Sequence, residues 1–454
     1  MAGIVAREQL TDDTVLVFIS DTHIGGTGGS DIFASAGELT AFFNELAEHD
    51  GPLELILAGD FLDLLRIGST SVDDLVDAML TSGVYEELFA ALRRVREAPD
   101  HRVIYMAGNH DAEAWWNPHL QQSLTTAGVV DEFALSYVAS YASLPQHLVY
   151  CEHGNQFDPT NRILDYADPL DTPIGSHIVT DVIRPIGAGM TVTRTLDLHD
   201  LSYVFPLAKL PEWVAGRLYY RLLRMVVRWF LAPLVIAYGI YHTTVAILQP
   251  TRAAVEGLLL EVADDAVVLL VACMIFFVVS RTVAQRVITS LAHRFRGRGF
   301  GDTHEHGNVA VQRLLESGAS PPMAERIAGR DIAVFVSGHT HAPAAQEMVR
   351  ADGGSTVIVN TGCWLRQLQP VTAWLKAPTV FVPAFVQTHV RVTRTGDGLA
   401  VELWERPKRA DRRLPPIERL AVLGRMPDQP SAASEPRLVA VHTTGPEASR
   451  PARR

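Results

Sequence analysis

The sequence predicts an α/β fold interrupted by a hydrophobic helical hairpin, and three observations carry that expectation. Short β-branched apolar runs alternate with longer helical stretches in the first third of the chain, a long uncharged run occupies the middle, and strand-like runs resume late. The early strand candidates are Thr14 to Ser20, Leu53 to Ala58, Arg102 to Ala107 and His147 to Cys151. Between them, Ala36 to Glu48 and Val72 to Glu97 repeat apolar residues every three or four positions, as packing helices do. Ile332 to Ser337 and Thr356 to Asn360 read as further strands, followed by a hairpin from Phe385 to Val392 and Leu399 to Trp404.

The expected division is 1–166 and 299–405 for the two parts of one catalytic domain, 167–298 for a helical insert, and 406–454 for a flexible tail rich in Pro, Ala, Ser and Arg. Within the insert, Trp229 to Leu248 is twenty residues without Asp, Glu, Lys or Arg. A helix of that length reaches about 30 Å, the thickness of a bilayer core. Ala266 to Ser280 is shorter and needs Arg281 to snorkel if its helix is to span. Arginines flank the outer ends of the pair, while Glu256, Glu261, Asp264 and Asp265 populate the loop side, so both ends are expected on the cytoplasmic side. Tyr203, Trp213, Tyr219 and Tyr220, interleaved with arginines, read either as a headgroup-level segment or as an ordinary amphipathic packing helix.

Composition narrows the function. Charged residues are 20% of the chain against about 25% in an ordinary soluble domain. The mean hydropathy is positive. A net charge of -12 argues against a nucleic-acid partner, because phosphate contacts need surplus cations. Cys151, Cys273 and Cys363 stand in no metal or disulfide spacing, and Met1 to Asp13 has no apolar run of a secretory signal, which together favour a reducing, cytoplasmic setting.

Five segments place metal-ligating residue types directly after apolar runs: Ser20-Asp21-Thr22-His23, Ala58-Gly59-Asp60, Ala107-Gly108-Asn109-His110-Asp111, Glu152-His153-Gly154 and Ser337-Gly338-His339-Thr340-His341. Ligands gather at the carboxyl ends of strands in α/β sheets, so the five loops are expected to converge. Carboxylates, imidazoles and one amide suit Mn²⁺, Fe²⁺ or Zn²⁺, and the thiolates of a structural zinc site are missing. Any one segment taken alone is an ordinary turn. The five together in this order are not. Asp302, His304 and His306 form a polar cluster outside these motifs and read as surface residues.

In this order the segments resemble the pattern D-x-H, G-D, G-N-H-D/E, H and G-H-x-H of the calcineurin-like metallophosphoesterases. The resemblance covers roughly Val15 to Cys363 apart from the insert and implies a four-layer αββα sandwich of two mixed sheets between helices. It implies that Asp21, His23 and His341 bind one metal ion, that Asn109, His153 and His339 bind the other, and that Asp60 bridges them, with Mn²⁺ the expected ion. Two such cations can activate water at neutral pH and clamp phosphoryl oxygens during in-line attack. His110 resembles the residue that protonates the leaving oxygen or steadies the equatorial charge, with Asp63 or Asp111 orienting it. The G-D-x-x-D loop and the polar loop after His153 resemble the UDP-2,3-diacylglucosamine pyrophosphohydrolase branch, whose enzymes cleave a pyrophosphate on a lipid. This chain has His110 where that branch usually has arginine. Asn161 and Arg162, with Asn109, are candidate substrate contacts.

The leading expectation is a membrane-associated phosphoesterase for a lipid-linked phosphate or pyrophosphate, with its catalytic domain facing the cytoplasm. A membrane-tethered enzyme for a soluble metabolite or nucleotide, and a non-catalytic membrane scaffold on the same fold, are the rival readings.

Overall fold

A computed structural model describes residues 3–25, 31–67, 72–81, 83, 85–183, 199–204, 209–248, 252–296, 311–313, 332–349, 354–431 and 435–444. Asp302, His304 and His306 lie outside the described residues.

Two mixed sheets face one another. The larger runs β14 (Arg437–Thr443), β13 (Gly398–Glu405), β12 (Val380–Thr395), β2 (Val15–Ile19), β3 (Leu53–Ala58), β4 (His101–Met106) and β5 (Glu132–Ala134), with β11 (Trp364–Val371) pairing β12 off this path. The smaller runs β1 (Ile4–Leu10), β6 (Ser136–Tyr141), β7 (Leu144–Glu152), β8 (Ile332–Ser337), β10 (Ser355–Asn360) and β9 (Ala344–Val349). Residues from either side of the insert therefore share one sheet, since β7 pairs β8 in parallel across it.

The period of two in a strand sorts the core into layers. Val15, Val17 and Ile19 of β2 pack outward against Leu39, Phe42 and Phe43 of α1 (Ala36–Ala47) and Leu88, Phe89 and Leu92 of α3 (Glu86–Glu97). Leu16 and Phe18, alternating with them, face inward onto Tyr137, Val149, Val334 and Val357 of the other sheet. On the far side of the smaller sheet, Tyr150, Phe335 and Ile358 pack with Val311.

Several expectations change. The run from Val72 to Glu97 is two helices, α2 (Val72–Thr81) and α3, separated at Gly83, whose φ of +89° is outside the helical range. An N-terminal strand, β1, is present where no strand was expected and pairs β6 in parallel. The chain after Glu405, expected as a flexible tail, contains a helix at Pro416–Ala421 and the strand β14, which pairs β13 in antiparallel fashion. Edge pairing supplies the order that local composition does not.

The insert begins as a docked helix and ends as exposed ones. Helix α4 (Leu210–Val226) buries Trp213, Tyr219 and Tyr220, the latter two among Val371, Val380, Val382 and Val422. Tyr220 Oη donates to the carbonyl of Pro378 at 2.6 Å, and Arg224 pairs with Glu418 at 2.6 Å. The amphipathic-packing reading of this segment thus prevails. Beyond it, α5 (Ala232–Leu248) and the continuous α6 (Arg252–Arg296) carry apolar side chains all round. Leu210–Val245 and Leu260–Ser290 are long and apolar enough to cross a membrane, and none of either apolar window is buried. The fifteen-residue run Ala266–Ser280 belongs to this one uninterrupted helix, so its own shortness does not limit the helix length.

Candidate metal centre

Each of the five loops leaves the carboxyl end of a strand: β2, β3 and β4 in the larger sheet, β7 and β8 in the smaller. The sheets face each other, so the five ends meet at one rim. Backbone bonds lock the rim together. Asp21 N–H donates to Gly59 O at 3.1 Å, His23 N–H to Asp60 O at 2.9 Å, and Gly338 N–H to His153 O at 2.8 Å. Asp21, His23, Asp60, His339 and His341 all have φ between 50° and 66°, a left-handed region that non-glycine residues adopt only where their surroundings hold them. Strain of this kind aims a side chain back over a strand end. A side chain at Gly59, whose φ is +90°, would collide with the ring of His153.

The ligand types form three groups whose donor atoms lie within 4.8 Å of one another: Asp21, His23 and His341; Asp60, His153 and His339; and His23, Asp63 and His110. In the first, His341 Nε2 is 3.1 Å from Asp21 Oδ1 and 3.2 Å from His23 Nε2. Asp60 lies between the first two groups, with Oδ2 3.8 Å from His23 Nε2 and 3.3 Å from His153 Nε2. His153 Nδ1–H donates to Ala58 O at 2.9 Å, which leaves the lone pair of Nε2 facing the Asp60 carboxylate. Two lone pairs in that arrangement require a cation between or beside them. Asn109 Oδ1 is buried with no hydrogen-bond partner among the described residues, as an amide oxygen that ligates a metal is expected to be. The donor set, all oxygen and imidazole nitrogen, fits divalent ions of the Mn²⁺, Fe²⁺ or Zn²⁺ kind.

Electrostatics give the same demand for positive charge. Burial would raise the Asp21 carboxyl, but His341 and His153 outweigh it and hold it at about 2. Burial would likewise raise Asp60, and His153 and His110 instead take it well below the usual range. Burial lowers His153, yet Asp60 and Asp21 push it up to about 10. Carboxylates this close keep a proton or a metal on His153.

His110 is held outside the first two groups. Its Nδ1–H donates to Asp63 Oδ1 at 2.9 Å, and its backbone N–H donates to Asp60 Oδ1 at 2.8 Å. Burial lowers its basicity, and Asp63 and Asp60 reverse that and raise it. Of the two carboxylates expected beside it, Asp63 makes the contact. Asp111 instead accepts from the backbone N–H groups of Asp60, Phe61 and Gly108 and from Tyr105 Oη, at 2.6 to 3.1 Å, tying two ligand loops together. A side chain that accepts so many backbone bonds has no lone pair left for His110.

Asp63 Oδ2 also lies 3.2 Å from His23 Nδ1 and 2.9 Å from Arg66 Nε, so one carboxylate sits against both His23 and His110. His339 Nε2 donates to Asp158 Oδ2 at 3.1 Å, which turns Nδ1 toward the cluster. Asn161, expected as a phosphate contact, donates its amide N–H to that same Asp158 oxygen at 2.7 Å and so supports His339. Arg162 is exposed. Sequence reasoning assigned no role to Arg66 or Asp158. Asp158 was within reach as the first acid of the polar loop after His153, but Arg66 carries no motif signal.

The family model for calcineurin-like phosphoesterases matches residues 14–181. That stretch holds the loops of Asp21, Asp60, Asn109 and His153 and ends inside the first part of the insert, and the loop of His339 and His341 joins it through β8. No curated protein matches the chain.

Proposed function

From the premise that this chain carries a calcineurin-like phosphoesterase domain, and so is a metal-dependent phosphoric ester hydrolase, we propose that it works at a membrane surface on a lipid-linked phosphate or pyrophosphate ester, with the sandwich on the cytoplasmic side. The observation that carries the membrane part is the uncovered apolar surface of α5 and α6, in contrast to the buried apolar residues between the two sheets. Arginines at the outer ends of the pair support the orientation.

In this reading Asp21, His23 and His341 hold one divalent ion, Asn109, His153 and His339 hold a second, and Asp60 is shared. Mn²⁺ is the ion we expect. When bound, the pair supplies charge that activates a water and neutralises phosphoryl oxygens. The chain's own groups do the rest. Asp63 fixes His110 with Nδ1–H engaged, which leaves Nε2–H as the proton that can pass to the leaving oxygen. Its raised basicity, from Asp63 and Asp60, favours the protonated form. The backbone bond from His110 to Asp60 holds the acid at a fixed distance from the bridging carboxylate.

The test is hydrolysis by full-length protein with added Mn²⁺, comparing a soluble phosphomonoester, a soluble phosphodiester and a nucleotide-linked lipid in mixed micelles. Turnover selective for the lipid supports the proposal. Turnover of the soluble esters alone reduces the insert to an anchor, and no turnover of any substrate favours the scaffold reading.

A further inference from the structure

One apolar surface on the catalytic body has no role in the reading above. It comes from two segments distant in sequence, the turn between β11 and β12 and the C-terminal segment around Pro416–Ala421. Trp374, Leu375, Leu420 and Leu423 are 50%, 70%, 67% and 62% exposed. They form one patch, because Trp374 Nε1–H donates to Leu423 O at 2.8 Å and the Arg425 guanidinium lies 3.8 Å from the centre of the Trp374 ring. Arg425 also donates to the carbonyl of Ala373 at 3.3 Å.

Leu375 and Lys376 both have φ of 55°. Two successive non-glycine residues in the left-handed region are uncommon, so the turn is held in a shape that local preference opposes. Its effect is to present the Leu375 side chain to the outside. Lys376, Arg419 and Arg425 are exposed around it. Leucines and a tryptophan inside a ring of cations match the boundary between acyl chains and anionic headgroups.

The position of the patch decides its occupant. Arg281 Nη1 donates to Leu375 O at 2.8 Å and Gln285 Nε2 donates to Lys376 O at 2.9 Å. Both donors belong to α6, directly after the uncharged run Ala266–Ser280. The turn is therefore tied to the apolar helix where that helix passes from uncharged to polar. If the run lies in hydrocarbon, that level is the membrane surface.

We infer that Trp374, Leu375, Leu420 and Leu423, with Lys376, Arg419 and Arg425, form a second membrane contact that seats the catalytic body on an anionic lipid surface. The inference rests on the membrane reading proposed above and adds a site to it. With the patch seated, the sandwich cannot swing on its helices, and the distance from the metal centre to the bilayer is fixed. The link is β11, an eight-residue strand that starts at Trp364, bonded through its N–H to Asp21 O at 3.2 Å, and ends at Val371, close in sequence to Trp374 of the patch.

The test uses full-length protein in vesicles of phosphatidylcholine and phosphatidylglycerol. Cys273→Ser leaves only the buried Cys151 and Cys363 as native thiols. An environment-sensitive fluorophore is then placed at one of three exposed positions: Ile240→Cys in α5, Leu375→Cys in the patch, or Asp397→Cys in the turn at the other end of β12. Lipids with a nitroxide on the upper acyl chain should quench the labels at 240 and 375 by about twofold or more, and leave the label at 397 unchanged. Quenching at 240 but not at 375 overturns the patch and leaves the membrane reading standing. No quenching at 240 overturns the membrane reading, and the patch with it. A label at 375 that shifts to the blue without quenching places a protein surface there and overturns the lipid assignment.

Discussion

The catalytic sandwich and the insert are built from the same apolar residue types used in opposite ways. Ile56 in β3 is fully covered between the two sheets, whereas Ile236 in α5 is 61% exposed. In the sandwich the apolar residues alternate or recur on one face, and each face has a partner layer. In α5 and α6 they point in every direction, and among the described residues none of either apolar window is buried. Hydropathy alone does not separate these two regions. Periodicity does, because a helix apolar all round has no face that one neighbouring layer could cover.

The comparison is sharpest at the metal centre, where the sandwich tolerates least. Asp60→Asn should abolish hydrolysis and lower the occupancy of both metal positions, since it removes the charge shared by His23 and His153; turnover near wild type, with metal content measured alongside, would sink the shared-carboxylate assignment. His110→Ala should retain its metal and lose about 10²-fold or more in rate. Loss of metal by elemental analysis would make His110 a ligand instead.

A paired substitution probes the two regions directly. Ile56→Ala should destabilise the full chain by about 2–5 kcal/mol, through lost burial and the cavity left behind. Ile236→Ala should change the unfolding of the sandwich by no more than about 0.5 kcal/mol. Equal effects in denaturation of the detergent-solubilised protein would mean that α5 is part of the folded core.

The smallest expected effect is a pH dependence within the sandwich. His389 is buried beside the Phe42 ring, and burial, with Arg406 and Arg391, pushes it down to about 3. In the unfolded chain a histidine titrates near 6.5. The folded form therefore holds His389 neutral, so its contribution is complete above about pH 6.5 and is lost as pH falls toward 3, at up to about 2 kcal/mol between pH 6.5 and 5. His389→Phe should flatten that part of the stability profile, and an unchanged slope would assign the acid sensitivity elsewhere.

Legibility in the sequence followed the range of the interactions involved. That the ligand loops sit at strand ends was readable because each apolar run and the polar residues after it are adjacent in the chain, as in Phe18-Ile19-Ser20-Asp21. The length of the insert's helices was only partly readable, since Arg281 and Gln285 interrupt the apolar count while α6 continues through them. The strand at Arg437–Thr443 was not readable, because its order comes from pairing with β13 and the composition around it is that of a loop.

The sequence by itself determined the chemistry at the centre: which donors are available, in what order, and that a long insert holding an uncharged run separates the fourth loop from the fifth. Only the tertiary structure decided the partnerships. Asp63 rather than Asp111 holds His110, Asp158 turns His339, and Trp374 meets Leu423, because each pair is made by loops that only folding brings to the same place. The physical reason is one of distance. Propensity and periodicity act over a few residues, whereas a hydrogen bond between side chains of remote loops depends on the packing of every layer between them.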